Sequence, residues 1–177
     1  MSCTAFRRGW ATGAAFATPN NEPSRFFEVG RIKQVTMDHG LALQRIKAIG
    51  LRGGWGEWKS SSTMLKTANM NRSEWRQVPD AVAISPQGRK VAIELERTRK
   101  TPKRYVEILA NYAEMLASEV VKEVFYICPD ILVKRIELDF YTIEKIIFRG
   151  RVMPVHESLL KRFYFISYTD WEAKYVA

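Results

Sequence analysis

Cysteine is scarce in this chain. Cys3 and Cys128 are the only two among 177 residues, and they share no CxxC spacing. A disulfide framework and a thiolate zinc cluster therefore lack support, and a reducing cytoplasm is the default expectation. Long apolar runs are missing too. No stretch reaches the ~18 consecutive apolar residues of a membrane span, so no membrane role is expected. The opening "MSCTAFRRGWATGAAFATPNNEPSRFFEVG" has an Arg pair and an Ala-rich patch, but its apolar run is too short and mixed for a secretory leader. Residues 1 to 30 read as an irregular arm rich in Gly, Ala, Thr, Pro and Asn. Acid is also short: 19 Asp and Glu face 28 Lys and Arg, a formal charge of +9 with a pI near 9.7. Such an excess favours polyanions through counterion release and makes nucleic acid the expected partner.

What is present suffices for one ordinary α/β domain over residues 31–177, with 46% hydrophobic residues. "VTMDHGLALQRIKAIGL" carries apolar residues at Leu41, Leu43, Ile46, Ile49 and Leu51, which predicts a short helix ending at Gly50 with Asp38 as its N-cap. "RGGWGEW" reads as a glycine turn leading to a strand near Trp58 to Leu65. Residues 81–85 and 90–96 read as two strands joined by "SPQGR", where Pro86 and Gly88 bend the chain. Thr101 is placed to cap a helix with Pro102 at its first position and a stripe of Tyr105, Ile108, Leu109, Tyr112 and Leu116. "KEVFYIC" suits a strand buried on both faces, with Cys128 as a small apolar residue at its end. "PDILVKRIELDFYTIEKIIF" reads as one helix started by Asp130, and "RFYFISY" as a last strand. A hairpin followed by a strand–helix–strand crossover implies a mixed sheet flanked by helices.

The chemistry-bearing stretch is "VPDAVAISPQGRKVAIELERTRK", residues 78 to 100. Strand alternation puts Glu94 and Glu96 on one face and Leu95 on the other. Asp80 opens the partner strand, so pairing brings three carboxylates together with enough oxygen ligands for Mg²⁺ or Mn²⁺. Such an ion polarises a phosphate and acidifies a bound water. The duller account is a solvated strand face paired with neighbouring Arg and Lys, an arrangement that contributes little. His39 is a candidate general base or phosphate donor, or simply a polar residue near a helix start. Glu57 is a candidate extra carboxylate, and His156 has no partner motif. The run "RTRKTPKR", with Arg97, Arg99, Lys100, Lys103 and Arg104, precedes a helix N-terminus, where cations oppose the dipole and a polyanion relieves them. Trp55, Trp58 and Trp75 are expected chiefly in the core, as are Tyr105 and Tyr112, although one or two tryptophans would be able to stack on bases.

"PDAV" followed by "IELERTRK" resembles the PD-(D/E)xK nuclease superfamily, whose restriction-endonuclease-like core is a mixed sheet between helices. The resemblance implies Asp80 and Glu94 as metal ligands. Glu96 stands where the family usually has lysine, and Arg97, Arg99 or Lys100 would then supply the positive charge. Across residues 37–128, "DHGLALQRI", "EWKSSSTM", "VPDAV", "IELERTR" and "YAEML…VFYIC" follow one another much as in plasmid replication-relaxation proteins and MobC-type relaxases. That narrower family is similar in placing a histidine on its first helix, and its usual N-terminal winged helix is not expected in this chain. The resemblance implies a DNA-binding protein of a plasmid or mobile element that nicks phosphodiester bonds with Mg²⁺ or Mn²⁺. Catalytic residues would be Asp80, Glu94, Glu96 and His39; metal ligands Asp80, Glu94 and Glu96; and DNA contacts Arg97, Arg99, Lys100, Lys103 and Arg104. A homodimer or other DNA-processing proteins would be its partners. The alternative is a non-catalytic DNA-binding accessory protein that keeps the fold and has lost the chemistry.

Overall fold

The computed structural model describes residues 34–66 and 75–176. The expected arm at residues 1–30, Cys3 included, lies outside the described residues. The chain divides into units at 1–37 and 38–177, and the description below concerns the second. Its elements are α1 (Gln34–Arg52, of which Asp38 onward belongs to this unit), β1 (Gly56–Ser60), α2 (Ser61–Lys66), β2 (Ala81–Ile84), β3 (Lys90–Leu95), α3 (Pro102–Ala117) and β4 (Glu123–Cys128). Then come α4 (Asp130–Tyr141), β5 (Lys145–Phe148), β6 (Arg151–Pro154), α5 (Glu157–Leu160), β7 (Phe163–Ser167) and α6 (Tyr168–Val176).

Five strands form one mixed sheet in the order β1-β2-β3-β4-β7. The first three pair antiparallel, while β3, β4 and β7 run parallel. The mixed α/β architecture with flanking helices is therefore as the sequence implied. Strand alternation divides the interior into two clusters. Val124, Tyr126 and Cys128 of β4 join Ala92 and the apolar stripe of α3, with Ile136 and Phe140 of α4. Phe125 and Ile127 face the other way with Val91, Ile93 and Leu95, packing with Leu43, Ile46 and Ile49 of α1 and Trp171 of α6. All six residues of β4 are buried, as a central parallel strand requires.

Several expected boundaries move, each for a physical reason. Asp38 lies inside α1, on its second turn, where its carboxylate meets Arg97 at 3.7 Å; it is not a cap. Gly50 also stays helical. It serves close packing, because an added Cβ would meet Trp171 and Trp58 at 3.2 and 3.3 Å. Gly54, at φ +83°, is the glycine that turns the chain. The strand expected near Trp58 to Leu65 is instead β1 followed directly by α2, because the Ser60 hydroxyl accepts from Thr63 N and starts a helix. The single helix expected from Asp130 to Phe148 ends at Tyr141, and the following "KIIF" pairs with "RVMP" as a separate hairpin. Arg149 and Gly150, at φ 48° and 78°, make its turn.

Candidate active site around Asp80 and Glu94

The site grows from the ends of β2 and β3. Asp80 immediately precedes β2 and receives the Leu95 N–H on Oδ2 at 2.8 Å, which locks its carboxylate beside β3. His39 of α1 donates from Nε2 to Asp80 Oδ1 at 3.1 Å. Glu94 sits one residue before the end of β3, opposite Tyr126 in the parallel register with β4. Its Oε1 accepts from Gln77 Nε2 at 3.2 Å and from the hydroxyl of Tyr112 on α3. The hydroxyl of Tyr126 is also buried, and it has no hydrogen-bond partner among the described residues.

Electrostatics separate the acids. Burial pushes the Glu94 carboxyl up to about 7, and the charge of Asp80 pushes the same way. The Tyr112 hydroxyl, the Gln77 amide and the Lys100 charge pull it back in part. Tyr112, fully enclosed and facing Glu94, is raised well above the usual phenol range, first by burial and then by that charge. Burial draws the Lys100 ammonium below the usual lysine range, opposed by Glu94 and then Asp80, while Arg104 adds to the depression. Lys100 therefore senses both carboxylates.

Glu96, expected as a third metal ligand, has another partner. It is 5% exposed, and its Oε2 is bound by Lys100, four residues on, where the loop after β3 folds back. Among the described residues no three His, Cys, Asp or Glu side chains stand together as a group able to hold a metal ion. The hard carboxylate oxygens of Asp80 and Glu94 remain, close enough for the charge of Asp80 to raise Glu94. Mg²⁺ commonly takes one or two carboxylates and completes its shell with water and substrate phosphate, so this smaller set still fits it.

The basic run is largely tied down. Arg97 faces Asp38. Arg99 grips Asp139 of α4 through Nε at 2.6 Å and Nη2 at 2.5 Å, and Arg104 meets Glu107 at 3.0 Å. Lys103 is exposed at the first turn of α3, which Thr101 caps by accepting from Arg104 N, as the sequence implied. Glu57 is exposed at φ 46° where the β1–β2 register shifts. Cys128 is a free buried thiol pushed up to about 12 by burial, in keeping with an inert packing role. Gln77 and Tyr112 were not foreseen as site residues. Tyr112 reads as one member of an apolar stripe, and only the pairing of α3 with β3 shows that its hydroxyl meets Glu94.

No family model, curated protein or solved structure matches the chain.

Proposed function

We propose that this chain is a nuclease-fold, DNA-binding protein of a plasmid or mobile element that nicks phosphodiester bonds with Mg²⁺ or Mn²⁺. In this reading its fold is restriction-endonuclease-like and its nearest kin are the replication-relaxation and MobC-type relaxase proteins. The observation that carries the reading is the placing of Asp80 and Glu94 on adjoining strand ends, where the Leu95 N–H binds Asp80 and where burial and the Asp80 charge raise Glu94 to about 7. Two acids brought together at such cost are what a cation-binding carboxylate pair requires. Asp80 and Glu94 would hold the ion, which when bound supplies polarisation of the phosphate and a more acidic water. The Leu95 N–H and His39 hold Asp80 in place, and Tyr112 and Gln77 hold Glu94. Glu96 orients Lys100, whose ammonium offsets charge on the phosphate, the service the family usually obtains from a lysine at the Glu96 position.

The accessory reading keeps one observation of its own: among the described residues no group of three ligating side chains is present. Isothermal titration of Mn²⁺ separates the two. The nuclease reading expects binding to the wild type that Asp80→Asn and Glu94→Gln each weaken tenfold or more (about 1.4 kcal/mol). Equal heats from all three proteins, with duplex DNA still bound, would leave the accessory reading.

A further inference from the structure

A second concavity, of about 680 Å³, lies at the opposite end of β3 and β4 from Asp80 and Glu94. Five cations line it: Arg89 and Lys90 at the start of β3, Lys122 before β4, and Lys161 and Arg162 before β7. Only two carboxylates, Glu119 and Glu123, share the lining. Glu123 is buried and acts as an anchor, holding the Arg89 guanidinium and accepting from the Tyr164 hydroxyl at 3.4 Å. Lys122 is bridged to Glu119, and Lys161 reaches Glu157 at 3.0 Å. Lys90 and Arg162 have no carboxylate within salt-bridge distance among the described residues; the Lys90 ammonium lies 5.3 Å from the centre of the Trp75 ring.

The same pocket holds an aromatic platform. Tyr164 stacks on Phe125 with ring centroids 4.6 Å apart and an interplanar angle of 25°. It stays 38% exposed, so the ring is fixed from behind and by its hydroxyl while lining the pocket. Cations exceeding acids ask for an anion of several charges, and an exposed, pre-oriented ring asks for a planar partner. The volume lies within the usual range for small-ligand sites.

We propose that this pocket binds a nucleoside phosphate, its base stacked on Tyr164 and its phosphates set among Lys90, Lys122, Lys161 and Arg162. The ligand is either a free nucleotide or the phosphorylated end of a single-stranded nucleic acid. The inference goes beyond the cleavage reading and holds whether or not Asp80 and Glu94 support cleavage.

Isothermal titration of the full chain with ATP, tripolyphosphate and a 5′-phosphorylated oligothymidylate tests it. ATP is expected to bind at least about tenfold tighter than tripolyphosphate, the equivalent of one base–aromatic stack. Tyr164→Leu should remove that difference and leave tripolyphosphate affinity unchanged, whereas Tyr164→Phe should retain it, which guards against a folding defect. Lys90→Glu with Arg162→Glu should abolish binding of all three ligands while the circular dichroism stays as in the wild type. Tighter binding of the oligonucleotide than of ATP identifies a nucleic-acid end, and the reverse a free nucleotide. Equal affinity for ATP and tripolyphosphate, no binding by the wild type, or ATP affinity indifferent to the charge reversals would overturn the proposal.

Discussion

Glu94 is the residue on which the site turns, because it is an acid kept from ionising at its ordinary pH. In the fold it titrates near 7 against an ordinary 4.5. Below pH 4.5 both folded and unfolded chains carry the proton, and the residue exerts no penalty. Between 4.5 and about 7 the unfolded chain has released its proton and the folded chain has not, so stability falls as pH rises through that window. The loss approaches roughly 3 kcal/mol and then levels off. Urea denaturation at a series of pH values should show this slope in the wild type and a flatter profile in Glu94→Gln; parallel profiles would contradict it. Tyr112→Phe removes a hydrogen bond that favours the charged carboxylate, so the Glu94 midpoint should rise further, as followed by carboxyl ¹³C shifts. Asp80 and Glu94 were legible as a pair because strand alternation and the hairpin between them fix their relation. Tyr112 and Gln77 were not, because hydrogen bonds between distant positions leave no trace in local pattern.

At the scale of elements, α3 matters most to the site, since its N-terminus carries the end of the basic loop. Its start was readable: Thr101 and Pro102 are a cap and a first helical residue on chemistry alone. Thr101→Ala should cost about 1 kcal/mol of stability by equilibrium denaturation, since Arg104 N loses its side-chain acceptor. A cost near zero would mean the cap is replaced by solvent. Other elements were hidden by competing patterns. The stretch from Asp130 to Phe148 is apolar enough to continue a helix; it ends at Tyr141, and the hairpin that replaces its tail turns on "RG", two left-handed residues that most dipeptides avoid. The C-terminal α6 went unread after the last strand, although Ser167, which accepts from Asp170 N at 2.8 Å, is a capping signal in the sequence.

At the scale of the whole molecule the charge is +9, yet among the described residues much of the basic run is met by acids. The run at 97–104 was expected to hold phosphates, yet three of its arginines face Asp38, Asp139 and Glu107. Sequence reports charge but not the acids that fold against it. Arg99 and Lys103 should therefore separate. Arg99→Ala should chiefly lower stability, as it leaves Asp139 without its bidentate partner. Lys103→Ala should leave stability unchanged and reduce the slope of log DNA affinity against log salt by about one. In the proposed function Asp80 and Glu94 form a metal-dependent phosphodiester-cleaving site. Conversion of supercoiled plasmid to nicked circles in Mg²⁺ or Mn²⁺, by wild type beside Asp80→Asn and Glu94→Gln, tests this site. Nicking is expected from the wild type and abolished by EDTA, with both variants reduced at least a hundredfold (about 2.7 kcal/mol). No nicking by the wild type, or equal nicking by all three, would contradict it.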